Sequence, residues 1–469
     1  MDMRNPHLLL AALLAFAGRA TAQPGAATLR LADALAEADA RAFANRQAAA
    51  AADADRARAA LPLKGIIPSA RVEGGFIRTT DPIGAFGTTL RQRAVSPAAF
   101  DPARLNFPAP VNNVQGGVVL EVPVLNDDAL TGWRAARSAA EASSAVADWT
   151  TVGTRANVVR AYYGGVLAQQ KVAMLTQARG AAESAVRQVE RMVTQGLVTK
   201  ADALQARVRA GDVTTQLLQA EHDARSAQQQ LALLLGRQDA APVALPDALP
   251  GDTAVRALAA LPSTDSVSLA AVTLQRDDLR AARLGAQAAR ADQQRAAATL
   301  LPRVNGFARY DWNSPATLYA GRPNWTVGVM ASWSLFGGGS ELADMTGTAA
   351  RARSARAGEE AARASALAEA DAAARAVTLA LERLHLAALA ADQSREAHRL
   401  VEKRYAGGLA TIAELLTAET SATGAALAHA AARYAVIDAV AMHRRAIGAD
   451  PGALAALDAA VSTVNTPRE

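Results

Sequence analysis

Two stretches of this chain contain no proline, one between Pro123 and Pro242 and one between Pro323 and Pro451. Proline removes a helix hydrogen bond and clashes with the preceding turn, so its exclusion over such lengths admits helices longer than a compact domain uses. In the second stretch, Glu341 to Ala406 gives 66 residues interrupted only by Gly347 and Gly358. At about 1.5 Å per residue, a continuous helix of that length reaches roughly 100 Å. The first stretch holds a matching run from Asp127 to Gln195, with glycines at 132, 153, 164, 165 and 180. Those glycines predict local bending or looser winding.

Each run breaks at a glycine and then resumes. The breaks are ERMVTQGLVTKADALQARV from Glu190 and KRYAGGLATIAELLTAETS from Lys403, with Gly196 and Gly408 separated by 212 positions. At that one offset Val189/Val401, Glu190/Glu402, Leu197/Leu409, Thr199/Thr411, Ala201/Ala413, Leu204/Leu416 and Ala206/Ala418 are identical. Duplication explains this best. The resumed runs, Ala201 to Leu235 and Ile412 to Ile447, end at Gly236 and Gly448 as C-capping glycines would end them. Two helical hairpins result. Val186, Val189 and Val193, with Leu217, Ala224 and Leu231, have coiled-coil spacing. Hydrophobic residues make up 51% of the chain but aromatics only 4%, because alanine supplies the difference. Alanine favours helix yet buries little area, which predicts closely packed long helices over a thick core.

Ahead of each long helix lie two strand-like segments. In WTVGVMASWSLF from Trp325, Val327, Val329, Ala331, Trp333 and Leu335 share one face, while Thr326, Gly328, Ser332 and Ser334 fall on the other. VNGFARYDW from Val304 sets Val304, Gly306, Ala308, Tyr310 and Trp312 against Asn305, Arg309 and Asp311. VEGGF from Val72 and GGVVLEVPVL from Gly116 are weaker counterparts. Such alternation fits a soluble antiparallel sheet with one wet face. It also fits membrane strands, because Tyr310, Trp312, Trp325 and Trp333 gather near strand ends like an aromatic girdle.

The N-terminus places Arg4 ahead of an apolar run from Leu8 to Ala17, followed by Ala20-Thr21-Ala22, the pattern of a cleavable secretory signal over residues 1–22. No later stretch has the roughly 18 unbroken apolar residues of a spanning helix, so membrane entry would be by β-strands. The chain lacks cysteine, which excludes disulfides, thiolate metal sites and a lipidated N-terminal cysteine. A net charge of +5 over 469 residues, without basic blocks interleaved with aromatics, gives no nucleic-acid surface. The six histidines show no metal-ligand spacing, and His385, His398, His429 and His443 read as solvated or packed helix residues. Gly337 to Gly339 follow a strand but lack the Lys-Ser/Thr of a phosphate loop, and no nucleophile elbow occurs. No enzyme, cofactor or metal is expected.

Four strands cannot close a membrane barrel, because single-chain barrels begin at about 8 and an open edge is intolerable in lipid. The chain must therefore assemble with copies of itself. The ordered set of signal peptide, IIPSARVEGGF and LLPRVNGFARY before strands, WSLFGGGS entering a long helix, and the paired QGLVTKADALQA and KRYAGGLATIAELLTAE breaks resembles the TolC-type outer membrane efflux protein family. The resemblance runs from about Leu29 to Gly448. It implies a mainly α chain with a small membrane β part, completing a homotrimeric 12-strand barrel and a helical periplasmic tunnel. Residues 23–240 would form a first repeat of helix, strand pair and hairpin, 241–265 a linker, 266–450 a second repeat and 451–469 a tail.

The resemblance further implies a passive exit duct for efflux or type I secretion, seated in outer-membrane lipid and docked by a periplasmic adaptor linked to an inner-membrane transporter. The docking tips would be Gly196, Leu197 and Thr199 with Gly408, Leu409 and Thr411. Turn plus cap accounts for the same residues without a partner. Asp202 and Glu414 match acidic pore-gate positions and Tyr405 a latching tyrosine, while Thr417 and Ala410 depart from the family's gate aspartate and latch arginine. Favourable placement in a first helical turn is the alternative for both acids. A soluble periplasmic adaptor or spacer remains the rival, and it leaves the aromatic-ended strands unexplained.

Overall fold

A computed structural model describes residues 28–238, 243–259, 276–317 and 320–455. The leader expected over 1–22, parts of the 241–265 linker and most of the 451–469 tail lie outside them. In chain order the elements are α1 (Leu31–Arg41), α2 (Phe43–Arg58), β1 (Ser69–Thr79), α3 (Pro82–Arg91), α4 (Pro102–Asn106), β2 (Val111–Leu125) and α5 (Asp127–Thr194). There follow α6 (Lys200–Leu234), α7 (Asp252–Ala259), α8 (Asp277–Ala298), β3 (Arg303–Ser314), β4 (Arg322–Ser332), α9 (Ser340–Ala406) and α10 (Ile412–Ala446). The chain is mainly helical with four strands, as its sequence predicts.

At 68 and 67 residues, α5 and α9 each span about 100 Å. Contrary to the expected loosening, α5 runs unbroken through all five glycines. Packing explains two of them. A Cβ at Gly165 would lie 2.6 Å from Leu245 Cδ1, and one at Gly132 would lie 3.2 Å from Arg295 Cδ. There the missing side chain lets a neighbour approach, which offsets the helix penalty. The hairpins α5/α6 and α9/α10 lie side by side, with α2 on α5 and α8 bridging α5 and α9. Along α9 the buried residues are small: Ala366, Ala370, Val377, Ala380 and Ala391, with Leu384 the largest. The main core sits at the waist, where Leu31, Tyr162, Tyr163, Leu231, Leu245, Val255, Leu384 and Ile437 meet. By length and composition α10 could cross a membrane, but its buried side packs on α9 and α5.

The four strands form one antiparallel sheet in the order β1-β2-β3-β4. Register places Val72, Val118, Tyr310 and Trp325 in one row across it, and Glu73, Gly117, Asp311 and Asn324 in the next. The first row belongs to an apolar face on which Val72, Val118, Tyr310, Trp325, Val327 and Val329 are all exposed. The opposite face is polar and carries the ion pairs Arg71–Glu73, Arg309–Glu73 and Arg309–Asp311. Ile77, Val119, Phe307 and Met330 are apolar exceptions there, and the Phe307 ring covers Gly328 so closely that a Cβ would sit 2.8 Å from Cζ. Among the described residues no strand pairs with the outer edges of β1 and β4.

Candidate functional site

The two hairpin tips are built alike. In each, a glycine takes the left-handed conformation, Gly196 at φ 73° and Gly408 at φ 72°. Around Gly196, the Gly196 N–H donates to the Val193 carbonyl and Leu197 N–H to Met192. Around Gly408, the Gly408 N–H donates to Tyr405 and Leu409 N–H to Arg404. These paired bonds satisfy the last carbonyls of α5 and α9, the device by which glycine ends a helix. Gly236 and Gly448 close α6 and α10 the same way.

Each next helix starts with a reciprocal cap. Thr199 Oγ1 accepts from the Asp202 N–H at 3.3 Å, while Asp202 Oδ2 accepts from the Thr199 N–H at 2.8 Å. Thr411 and Glu414 repeat this at 3.2 and 3.1 Å. The caps satisfy orphan amide groups at the starts of α6 and α10. Hydrogen bonds from Thr199 hold the Asp202 carboxyl below its ordinary range. Both acids thus do the capping work that their first-turn position allows. Each does so through one oxygen, Oδ2 or Oε2.

Capping leaves the leucines unexplained. Leu197 and Leu409 are 67% and 73% exposed, one apolar knob on each tip. Beneath them Val189, Ala206, Ile412 and Leu416 form a small buried cluster that joins the two hairpins, with Tyr405 packed against it. Burial, then the nearby Asp202 charge, raises the Tyr405 phenol. The structure therefore brings Gly196, Leu197, Thr199 and Asp202 to one tip and Gly408, Leu409, Thr411, Glu414 and Tyr405 to the other. Thr417 hydrogen-bonds the Ala413 carbonyl at 2.7 Å.

Sequence reasoning missed the cross-links of the tips. Arg207 Nη2 reaches Glu190 Oε1 at 2.6 Å across the first hairpin, and Arg404 donates to the Leu409 carbonyl at 3.0 Å in the second. The opposite charges of Glu190 and Arg207 in facing positions were the available signal. At the far end of the molecule, Tyr310 and Trp312 meet edge to face at 5.2 Å, and register pairs Tyr310 with Trp325. Trp333 lies just past the other end of β4, where its indole donates to the Leu300 carbonyl at 2.9 Å. The four aromatics thus mark two rims of the apolar face. His429 pairs with Asp252 at 2.9 Å, and no cluster able to hold a metal occurs among the described residues.

The profile of the outer membrane efflux protein family matches residues 34–237 and 269–449. The chain belongs to that family. A membrane protein from Pseudomonas aeruginosa shares 22% identity at a TM-score of 0.77, covering 89% of this chain and 92% of that one. The Vibrio cholerae outer membrane protein VceC shares 19% at 0.74, covering 89% and 96%. The open state of the Neisseria gonorrhoeae MtrE outer membrane channel shares 19% at 0.74, covering 90% and 89%. Comparison with curated proteins found no match. This outer membrane efflux protein therefore shares the fold of solved outer-membrane channels.

Proposed function

We propose that this outer membrane efflux protein is the exit duct of a tripartite efflux pump or type I secretion system, working as a homotrimer. The carrying observation is the sheet. Its apolar face is exposed, its polar face is charged, both edges are open among the described residues, and its strands run into helices about 100 Å long. Lipid tolerates no open edge, so sister strands must pair with β1 and β4, and three copies give a closed 12-strand wall. The polar face then lines a water-filled lumen. The residues 23–240 and 266–450 act as two repeats around it, joined by 241–265.

The tips are the docking surface for a periplasmic adaptor, which connects the duct to an inner-membrane transporter. Leu197 and Leu409 support this reading, because neither cap nor turn requires an exposed leucine. Asp202 and Glu414 serve as caps and gate at once: one oxygen holds the backbone and the other faces the narrow end, where three copies of each attract cations. Tyr405 holds the closed arrangement. The test combines outer-membrane fractionation with export. The wild-type protein resists carbonate extraction and runs as a cross-linked trimer, and Leu197→Asp with Leu409→Asp abolishes export while trimers persist. A carbonate-soluble monomer, or full export by the double variant, overturns the reading.

A further inference from the structure

Residues 80–110 join β1 to β2 at the end of the sheet away from the tunnel helices, since β2 leads directly into α5. The segment is folded. Asp81 caps α3 through the Gly84 N–H at 2.6 Å, Asp101 caps α4 through the Ala103 N–H at 2.9 Å, and Phe86 meets Phe100 edge to face at 5.8 Å. It is also tethered across the sheet. Gln92 Nε2 donates to the Asn112 carbonyl at 2.8 Å and to Asn113 Oδ1 at 3.0 Å, and Asn113 Nδ2 donates to Asn313 Oδ1 at 2.8 Å. Gln92, Asn113 and Asn313 are buried. Next to Gln92, Arg93 takes the left-handed φ of 53°, and its guanidinium reaches the Pro323 carbonyl at 3.1 Å. Asn324 Nδ2 returns a bond to the Arg91 carbonyl at 3.4 Å.

Register decides which way the segment leans. Asn113, Asn313 and Asn324 all lie on the polar face, the side a closed barrel turns inward. We infer that residues 80–110, tethered through Gln92, form a constriction at the outer mouth that excludes bulky polar solutes. The inference rests on the trimeric-barrel reading, which sets three such segments around one lumen. Ile83 and Phe107 are 85% and 86% exposed, with Leu90 and Phe100 also open, so the rim each copy presents is apolar. An apolar constriction resists hydrated solutes because they must shed water to pass.

The absence of native cysteine makes the test direct. Thr326→Cys places one thiol on the polar face of β4, and Val327→Cys places one on the apolar face. Intact cells are treated with a small charged maleimide and with a maleimide carried on a long polyethylene glycol. The small reagent labels Thr326→Cys, whereas the long one labels it much more slowly. Gln92→Ala accelerates the long reagent roughly tenfold, the shift in a docked-to-open ratio expected for losing two buried side-chain hydrogen bonds. Replacing residues 82–107 by a short turn removes the size difference altogether. Equal rates for the long reagent with the segment intact, untethered and shortened overturn the constriction alone. Failure of the small reagent to label Thr326→Cys from outside overturns the barrel reading and the constriction with it.

Discussion

The Tyr405 hydroxyl donates a hydrogen bond to the Met192 thioether at 3.6 Å, tying the end of α9 to the end of α5. Met192 also supplies the carbonyl that accepts from Leu197, so the phenol touches the residue that closes the other tip. Tyr405→Phe loses one weak sulfur bond, whereas Tyr405→Ala also removes a ring from the cluster around Val189 and Ile412. Tyr405→Ala should cost about 1–2 kcal/mol, below the 3–5 of a fully buried aromatic, and Tyr405→Phe well under 1. Thermal unfolding gives the stabilities, and planar-bilayer recording should show more frequent opening for Tyr405→Ala. Closed-state recordings identical to wild type would remove Tyr405 from the latch.

The two caps carry a second prediction. Thr199→Ala and Thr411→Ala each remove the acceptor for an N3 amide and should cost about 0.5–2 kcal/mol, with Ser restoring most of it. Hydrogen exchange should quicken in the first turns of α6 and α10 and stay unchanged at the waist. Uniform quickening would contradict a local cap.

Both caps were legible in the sequence because Gly-Leu-x-Thr is a local signal, and the helix bounds followed for the same reason: α9 begins one residue before Glu341 and ends at Ala406. Strand alternation was legible for a similar reason, since one face had to differ from the other. What escaped depends on distant partners. Helices α3 and α4 lie in a stretch with prolines at 82, 97, 102, 108 and 110, where Asp81-Pro82 and Asp101-Pro102 are each a cap followed by a first-turn proline. Their anchor, Gln92 on Asn113 and through it Asn313, joins residues far apart in sequence, which no local pattern encodes. Gly132 and Gly165 of α5 misled because their packing partners, Arg295 and Leu245, come from other segments.

Acid should act on the first tip. Thr199 holds the folded Asp202 carboxyl below the unfolded value near 3.9, so its stabilisation is complete above that value and is lost as pH falls through the lower folded one. The melting-temperature gap between wild type and Asp202→Asn should therefore stay constant from neutrality to about pH 5 and close below about pH 4. A gap that widens in acid would reverse the sign.

Arg276 offers a test at the junction of the two halves. Its guanidinium is 4% exposed, lies 4.8 Å over the Trp149 ring, donates to the Ala446 carbonyl at 2.7 Å and pairs with Asp278 and Glu369. Removing one partner of a buried pair costs about 3–5 kcal/mol, and the 40% exposure of Glu369 lowers the expectation for Arg276→Ala to about 2–3. Arg276→Lys keeps the charge but not the fork or the ring contact, and should recover less than half. Full recovery by Lys in thermal unfolding would show that charge alone suffices.

The capping glycines separate backbone strain from crowding. Gly196 and Gly236 share nearly the same left-handed φ, 73° and 77°. Among the described residues nothing lies within 4 Å of where a Gly196 Cβ would sit, so Gly196→Ala bears only the left-handed penalty of about 1–2 kcal/mol. A Cβ at Gly236 instead runs into the Arg41 carbonyl, backbone at the break between α1 and α2 that cannot swing aside. Gly236→Ala therefore adds an overpacking cost, for about 2–5 kcal/mol in all. It should also release the Arg237–Glu37 ion pair, 2.7 Å in the folded chain, that ties α1 to the end of α6. Thermal unfolding of the two variants side by side should put Gly236→Ala clearly lower. Equal losses would mean that the α1–α2 break yields freely, and that Gly236 serves conformation alone.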